Sequence, residues 1–474
     1  MQSNYVCFFS KMNIRNTILF LVAMAFVYIL SVTGSSCAQI GMPLGGPKDT
    51  IPPVLLNSDP PNGTIHFKGN RIVLTFDEYI QLKSLQDYLL VAPTPKIMPN
   101  VDFKLKTVTI KLRDTLQPNT TYNIQLGNSI QDLNESNPFR EFNYVFSTGD
   151  YIDSLQFRGN VILAETGKPD TTLLVFLYKN LDDSAVYKEK PVYIARVNKK
   201  GDFQFQHLAA GTYNVFALKD ESGQKKYNDP TQIFAFADSA IKISNDITPI
   251  NLFAYAEAKT GPKSASEKKT TSEKKLTYAT SIKKGTQDLL SPLTLEFSNA
   301  LKGFDSLKIK LTDTLFKPVA SAMVTIDTSH KEVIVNNKWE PALDYRLLVE
   351  KDFATDTSGI ALLKSDTVKF KTKSENEYGS IKINFKNLDK FQHPVLQFIV
   401  NNEVISSFPI TSATWSQRLF PPGDYDLRIL DDSNQNGIWD PGNYHLKKQP
   451  EKVYSITQKL NLKADWENER DIIL

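Results

Sequence analysis

Short runs in which apolar and polar residues alternate recur along most of the chain. Five of them cover residues 72–76, 108–112, 122–126, 307–311 and 367–370. Alternation places every second side chain on the same face of an extended strand, so such runs indicate half-buried β-strands. Turn-forming Asn-Gly, Pro-Asn, Asp-Thr and Pro-Pro-Gly sequences lie between them. The pattern predicts an all-β chain built from antiparallel β-sandwiches.

Aromatic residues are many of the apolar side chains available to form the cores of these sandwiches. The chain has 474 residues, 41% of them hydrophobic, with 28 Phe and 19 Tyr but only 4 Trp. Aromatic and β-branched side chains suit pleated surfaces. Domains of about 100 to 150 residues are typical, so a chain of this length is expected to hold three or four of them.

The N-terminus has the organisation of an export signal, which is expected to form a signal helix ahead of the all-β chain. Residues 17–32 are mostly apolar, follow Lys11 and Arg15, and run into Gly-Ser-Ser-Cys at 34–37. This apolar stretch is shorter than the roughly 20 residues that a spanning helix needs. An uncleaved N-terminal anchor is the alternative interpretation. Both interpretations, the cleaved signal and the uncleaved anchor, place the rest of the chain outside the cytoplasm.

The cysteine at the end of this segment resembles the modified residue of bacterial lipoproteins. Small residues precede Cys37, and the only other cysteine, Cys7, lies inside the signal. The resemblance implies removal of residues 1–36 and multiple acylation of Cys37. It also implies a cell-envelope protein held on a membrane, expected to be the outer membrane, facing the periplasm or the surface. The mature chain then has no intramolecular disulfide and depends on its hydrophobic cores.

A lysine-rich segment divides the remaining chain. Residues 259–275 carry six Lys and two Glu, a local charge that exceeds the chain's net charge of +3. No basic stripe remains elsewhere to bind nucleic acid, so no nucleic-acid partner is expected. The segment has no aliphatic side chain larger than alanine and cannot form a core. It is therefore predicted to be a disordered linker.

The two halves on either side of the linker resemble each other. Pro118 precedes Tyr122 by four positions and a strand ends near Phe146, while Pro341 precedes Tyr345 by four and a strand ends near Phe370. Leu-Ala-Ala-Gly-Thr-Tyr at 208–213 likewise matches Phe-Pro-Pro-Gly-Asp-Tyr at 420–425. Recurrence of several offsets in the same order indicates an internal repeat. We name the predicted order module A, module B, linker, module A′ and module B′.

The modules resemble two known families. Asp-Pro-Pro-Asn-Gly at 59–63, the strand with its Asp-Glu at 72–78 and Phe-Ser-Thr-Gly at 146–149 resemble the bacterial Ig-like domain of SbsA-type surface proteins. Gly-Asn-Val at 159–161 and Gly-Asp-Phe-Gln-Phe at 201–205 resemble the transthyretin-like, carboxypeptidase-regulatory-like sandwich. Both resemblances imply structural or binding modules rather than catalysts.

These observations predict a complete division of the chain. Its parts, in order, are the lipoprotein signal (1–36), a tether (37–49), the Ig-like module A (50–149), the transthyretin-like module B (150–258), the linker (259–275), the divergent Ig-like module A′ (276–373) and the second transthyretin-like module B′ (374–474).

One loop in module B′ has the spacing of a calcium site. Oxygen-bearing side chains stand at positions 1, 3, 5 and 9 of residues 432–440, with Gly437 at position 6, as in an EF-hand loop. The predicted ligands are Asp432, Asn434, Asn436, Ile438 through its carbonyl, and Asp440. Position 12 is Asn443 rather than Glu, so low affinity is expected. A hairpin turn that uses Asn, Asp and Gly for backbone reasons is the alternative.

The matching loop of module B has lost the charges. It offers Asp220, Ser222, Gln224 and Asn228, and is expected to bind no calcium.

Asp-Ser and Asp-Thr dipeptides followed by Ala, Thr or a larger aliphatic residue occur nine times. They resemble the sequon of an O-glycosylation system that some Gram-negative bacteria apply to envelope proteins. The alternative is that they are ordinary turn dipeptides. The predicted acceptors are Thr50, Thr115, Ser154, Thr171, Ser184, Ser239, Ser306, Thr314 and Thr367.

Catalytic patterns are not found in the sequence. The five histidines have no His-Glu-x-x-His spacing, and no Gly-x-Ser-x-Gly motif occurs. We therefore expect a non-enzymatic envelope lipoprotein that acts as a scaffold, spacer or adhesion surface. Envelope proteins or glycans are its candidate partners, and calcium is its candidate cofactor. A glycan- or protein-binding module of the cell surface is the alternative.

Overall fold

The computed structural model describes residues 14–33, 48–245, 247–258 and 275–474, with side chains 18–29 in the first range. The predicted N-terminal helix is present as α1 (Ile14–Thr33). Within the described ranges, no helix is both long enough and apolar enough to cross a bilayer. Cys37, the tether up to residue 47 and residues 259–274 of the predicted linker lie outside the described residues.

The all-β prediction is confirmed, because strands make up nearly all the regular structure after α1. Of the five alternating runs, 108–112 and 122–126 each pass the end of a strand by one residue, and 307–311 departs further. It begins in a 3₁₀ turn, Ser306–Lys308, because the Asp305 side chain accepts a hydrogen bond from Leu307 N and caps that turn. The strand follows it.

Module A consists of nine strands and one short helix around a single core. A sheet of order β1-β2-β6-β5 faces a sheet of order β4-β7-β9, and β3 pairs with β8. Ile72, Leu74, Ile110, Ile124 and Phe146 fill the space between them. The elements are β1 (Leu55–Asp59), β2 (Arg71–Phe76), β3 (Ile80–Leu82), α2 (Leu85–Tyr88), β4 (Leu90–Ala92), β5 (Asn100–Lys104), β6 (Thr107–Lys111), β7 (Thr121–Gln125), β8 (Ile130–Asp132) and β9 (Asn143–Ser147).

Module B is a sandwich of a three-stranded and a five-stranded sheet. The orders are β13-β10-β17, with β10 and β17 parallel, and β12-β11-β14-β15, with β16 beside β14. Phe157, Val161 and Phe203 meet Val175 and Val215 in the core. The elements are β10 (Leu155–Leu163), β11 (Leu173–Tyr178), α3 (Ala185–Lys188), β12 (Tyr193–Arg196), β13 (Asp202–Leu208), β14 (Gly211–Lys219), β15 (Phe234–Phe236), β16 (Ile241–Ile243) and β17 (Ile250–Ala254).

Residues 278–372 repeat the strand orders of module A. The sheets are β18-β20-β24-β23, β19-β27-β25-β22 and β21-β26. The extra strand β19 runs parallel to β27, where module A has only an isolated parallel bridge between Thr64 and Phe146. The strands are β18 (Tyr278–Thr280), β19 (Thr286–Gln287), β20 (Leu293–Phe297), β21 (Leu301–Phe304), β22 (Ile309–Thr312), β23 (Met323–Ile326), β24 (Glu332–Asn336), β25 (Asp344–Val349), β26 (Ala354–Asp356) and β27 (Asp366–Thr372).

Residues 379–473 repeat the strand orders of module B. The sheets are β31-β28-β34, again with a parallel pair, and β30-β29-β32-β33. One long strand, β33, stands where module B has β15 and β16. Two 3₁₀ turns, Glu375–Glu377 and Leu388–Lys390, flank β28. The strands are β28 (Gly379–Lys386), β29 (Pro394–Val400), β30 (Glu403–Pro409), β31 (Thr414–Phe420), β32 (Gly423–Asp431), β33 (Lys452–Leu462) and β34 (Glu467–Ile473).

The outer face of the larger sheet of module B is also buried. Phe176, Phe216, Phe234 and Phe236 point away from the sandwich core, yet all four are almost inaccessible to solvent. Part of the cover is local, since Val186 of α3 packs on this face. Leu90 of module A and Tyr444 of module B′ belong to the same buried cluster. The two halves of the chain are therefore in direct contact.

Candidate functional site

One part of the contact between the halves is made by the segment that connects β32 to β33. We call residues 432–451 the docking loop. Its first part contains the predicted calcium ligands, and its second part reaches module B. The loop starts where β32 ends at Asp431, and β33 returns the chain to the same place at Lys452, so the two ends are paired.

The first part of the docking loop forms a compact turn around Asp432. This buried carboxylate accepts hydrogen bonds from Asn436 N at 3.2 Å and Gly437 N at 2.7 Å. Asn434 Nδ2 and Asn436 Nδ2 both donate to Asp440 Oδ2, at 2.5 and 2.9 Å. Four of the predicted ligands therefore lie together.

Ile438, the fifth predicted ligand, stands on the outside of this turn. Its side chain is exposed, and its N–H donates to Asn436 Oδ1 at 2.8 Å.

Glu451 is a member of this site that sequence spacing does not reveal. Its buried carboxylate accepts hydrogen bonds from Ser433 N at 2.8 Å and from Asp440 N at 3.1 Å. Its carbonyl accepts one from Trp439 Nε1 at 2.8 Å. Glu451 reaches the turn only because β33 pairs with β32, so no local motif predicts it.

Calcium binding at this turn stays a prediction. The carboxylates of Asp432, Asp440 and Glu451 accept hydrogen bonds from N–H donors in this structure. No group of three or more His, Cys, Asp or Glu side chains within the described residues is arranged to hold a metal ion. Calcium would have to take the place of some of these donors.

The corresponding loop of module B closes in a similar way with a single carboxylate. Asp220 accepts hydrogen bonds from Lys225 N at 3.0 Å and Ser222 Oγ at 3.3 Å. Asn228 Nδ2 donates to Gln224 Oε1 at 3.1 Å. Hydrogen bonds between neutral groups have replaced the charges that a cation would need.

The second part of the docking loop inserts Tyr444 into module B. The side chain is 2% exposed, and its ring meets Phe216, Phe234 and Phe236 with centroid distances of 5.1 to 5.6 Å. The Tyr444 hydroxyl donates a hydrogen bond to Asp183 O at 3.2 Å. The backbone N–H of Tyr444 donates to a carboxylate oxygen of Glu257 at 3.0 Å. Burial raises the pKa of this phenol well above its ordinary value, so it remains neutral.

Charged and aromatic groups surround the inserted tyrosine. Lys447 Nζ lies 3.9 Å from the Tyr444 ring centroid and 2.5 Å from Asp183 Oδ1. The His445 ring stacks on Tyr187 at 5.7 Å, and burial raises the pKa of that phenol to about 12. Such contacts favour one orientation of the loop.

In a second set of contacts, residues 165–167 of module B lie against the outer face of the module B′ sheet. Arg428 is buried there, donating to Gln397 Oε1 at 2.7 Å and to Glu165 O at 2.5 Å. Ser455 Oγ donates to Thr166 O. Gly167 lies so close that a Cβ would come within 2.6 Å of Val453 O. Each repeat therefore covers part of the other's sheet.

The nine predicted glycosylation acceptors lie mostly on the surface. Eight are exposed, including Thr367 within β27, and Ser184 is half-buried. In four cases the side chain of the Asp before an acceptor accepts a hydrogen bond from the backbone N–H two residues later, at 2.8 to 3.0 Å. These are Asp49, Asp170, Asp305 and Asp313. This geometry is that of an ordinary Asx turn. Modification at these nine positions stays a prediction.

Comparison with known proteins identifies one segment. Residues 49–148 match the family model of the bacterial Ig-like domain, which supports the Ig-like part of the prediction for module A. No curated protein matches the chain.

Several solved structures of bacterial surface proteins are similar to it. The major pilin subunit BcpA of Bacillus cereus is 10% identical over 67% of this chain and 99% of its own, with a TM-score of 0.17. The TIE protein of Bacillus anthracis is 11% identical over 91% of this chain and 75% of its own, with a TM-score of 0.15. The N-terminal part of the bacterial S-layer protein SbsC is 11% identical over 47% of this chain and 45% of its own, with a TM-score of 0.16. Scores this low carry no inference about function.

Proposed function

We propose that this protein is an exported envelope lipoprotein, anchored in the outer membrane through Cys37, that acts as a non-catalytic scaffold. The observation that carries the scaffold role is the mutual packing of modules B and B′. A spacer would need its halves held apart, whereas this contact joins them into one block. The Ig-like match of residues 49–148 fits a structural role at the cell surface.

The module boundaries predicted from sequence are part of this proposal. The repeated strand orders support two copies of an Ig-like and transthyretin-like pair, at 50–149 with 150–258 and at 276–373 with 374–474. We further propose that module A is of the SbsA type.

Partners are proposed to be envelope proteins or glycans. The largest aromatic cluster of module B is covered by Tyr444 and is therefore not presented to a glycan. This arrangement favours the scaffold over the glycan-binding alternative. Crosslinking the native protein in envelopes, followed by pull-down, identifies what it holds.

Replacing Cys37 by serine is expected to abolish lipid attachment, because serine has no thiol to acylate. Cells are fed an alkyne fatty acid, and label on the purified protein is measured together with its share in the membrane fraction. The variant should be unlabelled and either released or left as a full-length precursor. Cys7→Ser is the matched control and should label normally, since residue 7 lies in the part predicted to be removed. Equal labelling of the wild type and Cys37→Ser contradicts the proposal.

We also propose that calcium, bound weakly by Asp432, Asn434, Asn436, Ile438 O and Asp440, stabilises the docking loop. Extracellular sites of this kind have dissociation constants of about 10⁻⁴ to 10⁻³ M. About 10 mM Ca²⁺ would then stabilise the native state by roughly 1.4 to 2.7 kcal/mol, because a ligand that binds only the native state shifts unfolding by mass action.

Thermal unfolding of the mature chain with and without Ca²⁺ measures this effect. Asp432→Ala with Asp440→Ala should remove the rise in melting temperature. Asp220→Ala, in the loop of module B, should leave it unchanged. If the wild type melts at the same temperature in both conditions, the turn binds no calcium.

A further inference from the structure

Exposed apolar side chains gather at the end of module A where the chain enters it. Four segments meet there through backbone hydrogen bonds. Asp77 N donates to Val54 O at 3.1 Å, Leu133 N to Tyr79 O at 3.0 Å, and Ile80 N to Leu105 O at 3.0 Å. We call the exposed members the entry-end patch: Ile51, Val54, Tyr79, Leu105 and Leu133.

These five side chains are not core residues that happen to touch solvent. Each is 51% to 67% exposed. They come from the segment before β1, the connection of β2 to β3, the turn between β5 and β6, and the loop after β8. A grouped apolar surface of this kind in a soluble domain usually marks a contact site.

The charges around the patch indicate which kind of contact it suits. Lys106 Nζ donates to Asp77 O at 2.6 Å and lies 5.6 Å from the Tyr79 ring centroid. Glu78 stands among several carboxylates, and its burial together with the charges of Asp132 and Asp77 raises its pKa. A rim that is not predominantly basic gives no attraction to anionic lipid, so an apolar contact is favoured over an electrostatic one.

The position of the patch along the chain identifies its occupant. Asn137 Nδ2 donates to Asp49 O at 3.1 Å and to Ile51 O at 3.3 Å, which fixes the entering chain beside the patch. Asp49 lies twelve positions after Cys37. Twelve residues span at most about 43 Å. An acylated Cys37 therefore confines this end of module A to the neighbourhood of the bilayer, at high effective concentration.

We propose that the entry-end patch lies against the lipid surface and inserts Leu105 and Leu133 into the boundary between headgroups and acyl chains. The proposal rests on the lipid anchor proposed above. The anchor brings the patch to the bilayer, and burial of its apolar side chains holds module A in one orientation. The chemistry fits a zwitterionic lipid surface.

The test places a photo-crosslinking amino acid at Leu105 and, in a separate chain, at Leu315 of module A′. Leu315 is the matched control because it is 85% exposed, more than Leu105, and far along the chain from the anchor. One arm uses cells that process the native chain. The other couples residues 37–474, whose only cysteine is Cys37, to maleimide-bearing phosphatidylcholine vesicles. Lipid adducts are measured by mass.

We expect lipid adducts at position 105 in both arms, several-fold above position 315. Replacing some of the phosphatidylcholine by an anionic lipid should not increase them. Leu133→Ser combined with Ile51→Ser should reduce them, while Leu363→Ser should not.

The two arms separate failure of the anchor from failure of the patch. Lipid adducts on vesicles, with no crosslink to lipid or to protein at position 105 in cells, mean that Cys37 is not acylated in cells and leave the patch proposal supported. The absence of adducts at 105 on vesicles overturns it. So does crosslinking to a protein instead of lipid in cells, which would make the patch a protein contact.

Discussion

Tyr444→Ala is expected to let the two halves of the protein separate once the segment between them is cut. The change removes a buried ring that touches three phenylalanines of module B, together with its hydrogen bond to Asp183 O. Removing a large buried aromatic side chain typically costs about 3 to 5 kcal/mol. In an intact chain the connection compensates by keeping the partners at high effective concentration. A cut within residues 259–274 removes that compensation, and association then weakens by a factor of about 10² or more.

The measurement inserts a specific protease site within residues 259–274, cleaves the folded chain and follows the fragments by size-exclusion chromatography. The wild-type halves should elute together at micromolar concentration, and those of the variant should elute apart. Tyr151→Ala, which removes an exposed tyrosine, is the control and should leave the halves together. Co-elution of the Tyr444→Ala halves with an unchanged dissociation constant would contradict the assigned interface.

Gly159→Ala is expected to destabilise module B severely. A Cβ on Gly159 would lie 2.3 Å from Ile250 O and 2.7 Å from the ring of Phe203. The first atom belongs to the backbone of the parallel neighbour β17 and the second to the buried core, so neither can move without disturbing a sheet. Overpacking of this kind costs about 1 to 3 kcal/mol, and the involvement of backbone places this case at the upper end.

Gly303→Ala provides the matched control for that change. Gly303 also lies in a strand, β21, but a Cβ there has nothing within 4 Å. Chemical denaturation of the two variants should show a lower midpoint for Gly159→Ala and little change for Gly303→Ala. Similar midpoints for the two variants would mean that β17 can shift at little cost in free energy. The close approach of Gly159 to Ile250 O would then not limit the residue at position 159.

The repeat was predictable because it reflects contacts between residues that pairing brings face to face. Tyr122 stands opposite Phe146 and Tyr345 opposite Phe370 on neighbouring strands, and both ring pairs are stacked, at 5.1 and 5.9 Å. Cross-strand neighbours of this kind stabilise a sheet and keep their spacing when a module is copied.

The second repeated motif has an equally local cause. Tyr213 Oη donates to Ala209 O at 3.1 Å, and Tyr425 Oη donates to Pro421 O at 2.8 Å. The hydrogen bond spans four residues in both modules, so the tyrosine must keep its distance from the turn. Local geometry of this kind leaves a readable pattern in the sequence.

Contacts between distant segments left no such pattern. Glu451 joins the turn around Asp432 only through the pairing of β32 with β33, and Tyr444 gives no sign in sequence that its partner is in another module. The nearly continuous apolar run of β11, Leu-Leu-Val-Phe-Leu-Tyr, was the one available clue, since a strand apolar on both faces is covered on both. Identifying the cover required the fold.

The cover on module B also sets an order of events when the chain folds. Tyr444 lies 261 residues after Asp183, to which it donates, so module B is synthesised long before its outer face can be closed. Until the docking loop arrives, Phe216, Phe234 and Phe236 present an aromatic surface on which another chain can aggregate. Contacts so distant in sequence form slowly, because a long loop must close before they stabilise anything. The first half of this protein therefore keeps part of this aromatic face open until its second half has folded against it.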